Sequence, residues 1–368
     1  MTPVEPPVEP RLSWYARPAA RAWTTAPAPV GVRAFHAALP EYAPTPLTEL
    51  PSLAAELGVG RVFVKDESAR LGLPAFKALG ASWAVHRVLA GRADDERVEL
   101  VTATDGNHGR AVARVARRLG HGAHVFVSGG VHPGAAAAIE GEGARVTRVD
   151  GDYDEVVRLA AAAAREPGTV LVQDTAWPGY EEVPRLIVEG YSTLFAEVDE
   201  QVAAAGAGTP DLVAVPVGVG SLAQAAVTHY RSRPAGRRPA ALLAVEPTAA
   251  APGLASLTEG APVTVPTAET TMAGLNCGTL SSLAWPCLRD GLDAATAVTD
   301  AQSAAAARDL AALGVSAGPC GAASLAGARA ALTGQGAAAR RATLGADETA
   351  TVVLLSTEGA AANPYSAA

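Results

Sequence analysis

A chain of 368 residues, 49% hydrophobic but only 5% aromatic, has the length for two lobes and the composition for cores built from Ala, Val and Leu. A net charge of −8 without any basic run argues against a nucleic-acid partner, and no apolar stretch has the length to span a bilayer. Three scattered cysteines, Cys277, Cys287 and Cys320, rule against a disulfide framework or a paired-cysteine zinc site; spacing leaves a Cys277–Cys287 bridge open, but reduced thiols and no resident metal are expected.

The opening to about Val32 is acidic and Pro-rich, unlike a secretion signal, so a cytoplasmic protein is expected, with this arm wrapped over the body or partly disordered. A strand follows over 62–65, then a loop rich in charge and glycine and a helix over 75–89. Strands over 98–102, 123–127, 145–149 and 169–173 alternate with helices over 109–119, 133–141 and 152–164. One long helix is predicted over 183–198, then a buried strand over 212–217, a helix over 222–231 and a strand over 241–245. Ala-rich helices over 301–313 and 322–332 precede a last strand over 352–356, and 259–271 and 334–347 are expected to be flexible. Strands separated by helices of this length imply parallel βαβ units, hence an α/β fold.

Arginine supplies nearly all the basic charge; Lys65 and Lys77 are the only lysines. Arginine replaces lysine as a surface cation but cannot form a Schiff base, which draws attention to these two. Lys77 follows Phe76 in GLPAFK at a predicted helix start. Partial burial there would lower its pKa and favour the neutral amine, and the helix N-terminus would act in the same direction. Taken alone, the motif also fits an ordinary lysine on an amphipathic helix.

Two strand-to-helix turns add to it. TATDGNHG (102–109) lies where ligands sit in doubly wound sheets, with Asn107 as an amide donor and Asp105 as a carboxylate able to move protons. Asp, Asn and Gly also favour helix caps, and His108 is expected to be structural. In VGVGSL (217–222), the backbone of Gly218, Val219, Gly220, Ser221 and Leu222 can close around an anion at a helix start. The third glycine of a dinucleotide turn is missing, Gln224 and Ala225 standing there, so a phosphate of mononucleotide size fits better.

Together these motifs resemble fold-type II pyridoxal-phosphate enzymes, and most of all the diaminopropionate ammonia-lyase family. The match runs from about Ala34 to Gly359 through PTPLTELPSLAAELGV, VKDES, AFKALGAS, TATDGNHGR, QDTAWPGYEEVP, VGVG, MAGLNCG and STEG. AFK and GNHG are shared across the fold type; the Asp before GNHG and the QDTAW-GYEE run are specific to this family. The resemblance implies a two-lobed α/β fold, each lobe with a twisted, mostly parallel sheet. The large cofactor-binding lobe would comprise 1–83 and 196–368, and the smaller inserted one 84–195. It implies pyridoxal 5′-phosphate on Lys77, with Phe76 beside it, Asn107 on the cofactor's 3′ oxygen and Gly218 through Leu222 around its phosphate. Ser356 or Thr357 would face the pyridine nitrogen. Asp105 and Asp174 would be the acidic contacts to a small amino-acid substrate, in an α,β-elimination that releases ammonia from 2,3-diaminopropionate; Asp174 also reads as a turn cap. A homodimer is implied as well.

The chain departs from the family where a Glu-Ser-Gly segment is expected and SAGPCG (316–321) stands, which leaves a carboxylate missing near the cofactor. Serine or threonine dehydration, β-replacement, or a non-catalytic cofactor-binding regulator are the alternatives, and a nicotinamide oxidoreductase is a distant third class.

Overall fold

The computed structural model describes residues 13–93, 96–104, 106–151, 153–232 and 239–362. Among them eleven strands form two sheets. In chain order they are Trp14–Ala16 (β1), Leu47–Glu49 (β2), Arg61–Asp66 (β3), Glu99–Ala103 (β4), Gly122–Ser128 (β5), Arg145–Val149 (β6), Thr169–Leu171 (β7), Leu212–Pro216 (β8), Ala241–Pro247 (β9), Ala294–Val298 (β10) and Thr351–Ser356 (β11). The seven-stranded sheet has the order β1-β10-β9-β8-β11-β3-β2, with antiparallel edge strands β1 and β2 around five parallel ones. The four-stranded sheet, β6-β5-β4-β7, is wholly parallel.

Side-chain alternation sets which face each strand residue covers. Val62, Val64, Leu212, Ala214, Leu243, Val352 and Leu354 join one core, where the helix Pro319–Leu332 packs. Their neighbours Phe63, Val213, Val215, Leu242, Val353 and Leu355 join the other, with the helix Ser221–Arg231. That second core continues through Leu100, Val125 and Val170 of the small sheet, so one apolar body joins both sheets. With both faces covered, the central strands β8, β9 and β10 are nearly continuous apolar runs.

The helix Lys77–Leu89 is buried without interruption from Ala78 to Val85, so it must meet neighbours on all sides. Its Gly80 packs against Ile187 and Tyr191, where a Cβ would lie 2.6 Å from the Tyr191 ring. Gly190 answers it, since a Cβ there would lie 2.6 Å from the Leu79 carbonyl. This close crossing explains a correction: the predicted helix over 183–198 is two helices, Glu182–Gly190 and Ser192–Ala204, with Tyr191 between them.

The N-terminal arm lies against the body as one of its two expected forms, and the two segments expected to be flexible carry defined contacts. Part of the N-terminal arm is a strand, β1, paired antiparallel with β10, while residues 1–12 lie outside the described residues. Within 334–347 stands the helix Ala337–Leu344; Arg340 on its flank donates to the Ala331 and Thr333 carbonyls at 3.0 and 2.9 Å. The segment over 259–271 lacks regular structure after the helix Pro252–Glu259, but Val265 N donates to the Gly278 carbonyl and Thr271 N to Asp300, at 2.9 and 3.0 Å.

Lys65 is structural. Its buried ammonium donates to Glu197 at 2.7 Å and to the Thr45 carbonyl and Gln201 at 2.8 Å, while Arg70 bridges Glu197 and Glu67 at 2.7 Å. Burial pulls Glu197 up, but Arg70 and Lys65 more than offset it and hold the carboxyl at about 2.

Candidate active site

Because β4, β8 and β11 run parallel to their neighbours, the loops leaving their carboxyl ends open on a common cavity of about 930 Å³. Its lining includes Phe76, Lys77, Thr104, Gly106, Asn107, His108, Asp174, Gly218 through Leu222, Cys277, Cys320, Thr357 and Glu358. Of the residues singled out from sequence, Phe76, Lys77, Asn107, Asp174, Gly218, Val219, Gly220, Ser221, Leu222 and Thr357 meet here. Ser356, the last residue of β11, is buried without lining the cavity. Asp105 lies outside the described residues; its chain neighbours Thr104 and Gly106 both line the cavity.

Lys77 is the first residue of its helix, and its Nζ donates to Asp174 Oδ2 at 2.6 Å, 5.3 Å from the centre of the Phe76 ring. The expected neutral amine is not found. Burial does lower the lysine pKa, but the Asp174 carboxylate, aided by Tyr191, overrides it and holds the ammonium above the usual lysine range. The reciprocal effect keeps Asp174 ionised, at about 2, against the burial that raises it. Sequence reasoning placed Asp174 in the site without its partner, because 97 residues separate it from Lys77.

Asp174 is held from three sides. Its carbonyl accepts from Ser221 Oγ at 2.8 Å, tying the acid to the glycine turn, and Gln173 before it bridges to the Ala103 N–H at 2.9 Å. His108 is the third neighbour. Its Nε2 donates to the Val172 carbonyl at 2.8 Å, while its Nδ1 is buried without a hydrogen-bond partner among the described residues, 3.8 Å from Asp174 Oδ2.

The turn after β8 fits a phosphate. Gly220 has φ +95°, open to glycine without strain, and starts the helix Ser221–Arg231, whose first-turn N–H groups have no acceptor within the helix. A Cβ on Gly218 would stand 3.0 Å from the Gly274 carbonyl and 3.3 Å from Cys277 Sγ, so only a bare backbone passes here. A lone cavity lysine, a glycine cradle at a helix start, an aromatic ring beside the lysine and Thr357 in the cavity lining suit a phosphorylated pyridine aldehyde.

Sequence reasoning missed Glu358. Its carboxylate is buried, accepting from Asn107 Nδ2 at 2.6 Å and from the Cys320 N–H at 3.2 Å. Burial raises its pKa against those hydrogen bonds. The carboxylate stands after β11, at the start of the helix Pro319–Leu332 and beside the segment 318–321 where the resemblance leads to another carboxylate. The signal lies in STEG, whose acid stands one residue beyond the hydroxyls of Ser356 and Thr357.

The chain matches the model of the pyridoxal-phosphate dependent enzyme family over residues 38–358. It is 39% identical to diaminopropionate ammonia-lyase of Salmonella typhimurium, over 75% of this chain and 74% of that protein. Its fold superposes with a TM-score of 0.83 on the crystal structure of Escherichia coli diaminopropionate ammonia-lyase in complex with an aminoacrylate-PLP azomethine reaction intermediate, at 33% identity and covering 91% of this chain and 89% of that one. Maize serine racemase is a more distant likeness, at a TM-score of 0.74 and 26% identity, covering 91% and 94%.

Proposed function

The chain belongs to the pyridoxal-phosphate dependent enzyme family and, within it, to the diaminopropionate ammonia-lyases, and from that premise we propose that it eliminates ammonia from 2,3-diaminopropionate to give pyruvate and ammonia. The observation that carries the substrate is charge. Among the described residues lining the cavity, Asp154, Asp174, Glu269, Asp300 and Glu358 are acidic, whereas Lys77 is the sole lysine or arginine. Such a lining attracts an amino acid with a second ammonium group and disfavours one with a second carboxylate.

When bound, pyridoxal phosphate supplies the aldehyde that captures an amine and the ring that withdraws electrons from the carbon attached to it. Lys77 would hold it through Nζ, the turn Gly218–Leu222 would take the phosphate, Asn107 would offer an N–H to the 3′ oxygen, and Thr357, which lines the cavity where Ser356 does not, a hydroxyl to the ring nitrogen. A neutral hydroxyl there leaves the ring a moderate electron sink, which favours prompt loss of a β leaving group. Asp174, accepting from Lys77 Nζ at 2.6 Å, would hold the amine that moves the proton in place and balance its charge. Asp105, between two cavity-lining residues, would serve as the second acid, pairing with the β-ammonium or protonating the departing amine.

The same reading divides the chain into a large lobe, 1–83 and 196–368, and an inserted lobe, 84–195, which separates the two sheets. It includes a homodimer, carried over from the family resemblance, and a cytoplasmic setting, in keeping with three free cysteines. Absorption of the purified protein near roughly 400 nm, followed with 2,3-diaminopropionate and with serine, tests it. A band that shifts and yields pyruvate with the diamine supports the reading; equal turnover of serine would replace it with a dehydratase, and an inert band would remove the substrate.

A further inference from the structure

Asn107 is the first residue of the helix Asn107–Leu119, on the small-sheet side of the cavity, while Glu358 follows β11 of the large sheet. Their side chains meet at 2.6 Å across 251 residues of sequence. Glu358 has little freedom to be elsewhere. Its backbone carbonyl accepts from Gly318 N at 2.9 Å, its Oε1 accepts from Cys320 N at 3.2 Å, and a Cβ on Gly318 would lie 3.0 Å from its Cγ. The carboxylate is therefore clamped at the start of the helix Pro319–Leu332, and its remaining oxygen faces Asn107. A side-chain amide can present either its N–H₂ or its carbonyl to a given direction. The Glu358 oxygen that accepts one hydrogen of Nδ2 settles that choice, turning the carbonyl away from Glu358 and leaving the second N–H of Nδ2 for another acceptor.

We propose that Glu358 is a positioning residue for the cofactor: it fixes the Asn107 amide across the two sheets so that an N–H, and not the carbonyl, meets the cofactor's 3′ oxygen. The inference rests on the assignment of Asn107 to that oxygen. A buried hydrogen bond whose acceptor is clamped by its own backbone has the strength to hold one amide rotamer, and it links the cavity wall of one sheet to that of the other.

The test is a double-mutant cycle on the affinity for pyridoxal phosphate, read by quenching of intrinsic fluorescence, with Asn107→Ala, Glu358→Met and both together. Methionine keeps the volume of Glu358 and removes the acceptor. Asn107→Ala and Glu358→Met should each weaken binding by about 10- to 100-fold, and the double variant should be no weaker than Asn107→Ala alone. Glu358→Gln, which keeps a carbonyl acceptor, should stay within about threefold of the natural chain and shift the absorption maximum of the bound cofactor less than Glu358→Met does. Additive losses would overturn the proposal, as would a Glu358→Met protein that binds normally. Normal binding by Asn107→Ala would instead strike down the role of Asn107 itself. Should Glu358→Met fail to fold, NMR of the natural chain decides: one Nδ2 proton of Asn107, identified by its loss in Asn107→Asp, must be shifted downfield and protected from exchange, and a freely exchanging amide refutes the clamp.

Discussion

Replacing Asp174 by Asn removes the counter-charge of Lys77 and leaves the shape of the site almost unchanged. In the natural chain both groups are charged across the neutral range, because Asp174 is held at about 2 and Lys77 above its usual value. The pair's contribution is then constant with pH there. For Asp174 it is lost as pH falls from about 4 toward 2, and for Lys77 only as pH climbs past the ordinary lysine value of 10.5. In the variant, burial acts on Lys77 unopposed. The lysine either stays charged without a partner or gives up its proton, which at pH 7 costs about 5 kcal/mol at most, from 1.36 kcal/mol per pH unit over the gap to 10.5. Buried pairs broken on one side lose about 3–5 kcal/mol, so a loss in that range is expected. The variant also acquires a slope. Its unfolded state binds a proton that its folded state lacks, so its stability should rise by up to about 1.4 kcal/mol per unit between pH 7 and 10. Urea unfolding of protein stripped of pyridoxal phosphate, at pH 7, 8 and 9, measures both quantities. Curves for the two proteins that run parallel, whatever their offset, would refute the claim that Asp174 keeps Lys77 charged against its burial.

Glu197→Gln should lower stability by about 3–5 kcal/mol, since Lys65 and Arg70 lose their shared anion, yet leave kcat unchanged below the melting transition because none of the three lines the cavity. The natural chain should also lose stability as pH falls from about 4.5 to about 2 through Glu197, a loss missing from the variant; acid titration of the folded fraction reads it. Glu246 has the opposite sign. Burial, only partly countered by the Gly253 and Leu254 N–H groups, raises it to about 8, so its folded form keeps a proton its unfolded form has released, and stability should fall as pH rises from about 4.5 to 8. Thermal melts of Glu246→Gln over that range should show a shallower decline, and an unchanged decline would mean that another group carries it.

Much of this protein was legible in one dimension because its chemistry sits where chain geometry changes. A strand that must end in a turn and begin a helix needs glycine, Asn and small polar residues, and such residues mark Asn107 and Gly218 through Leu222 without any knowledge of their neighbours. Alternation of short strands with helices of ten or so residues likewise sufficed for a parallel α/β fold, since parallel strands require a crossover. The rarity of lysine singled out two residues but could not separate them: Lys65 ends beside Glu197 and Lys77 beside Asp174, contacts across 132 and 97 residues.

What only the tertiary structure decided has one physical origin, the dependence of charge and helix continuity on groups far away in sequence. Local burial alone predicted a neutral Lys77, and a carboxylate from a distant loop reversed the sign. Periodicity alone predicted one helix over 183–198, and the approach of Gly80 to Gly190 divided it at Tyr191. Glu358 stood in plain view in STEG, but its meaning arises only where β11 brings it 2.6 Å from Asn107. Turns and periods are written in neighbouring residues; the electrostatics of a buried site is written in pairs that only the fold brings together.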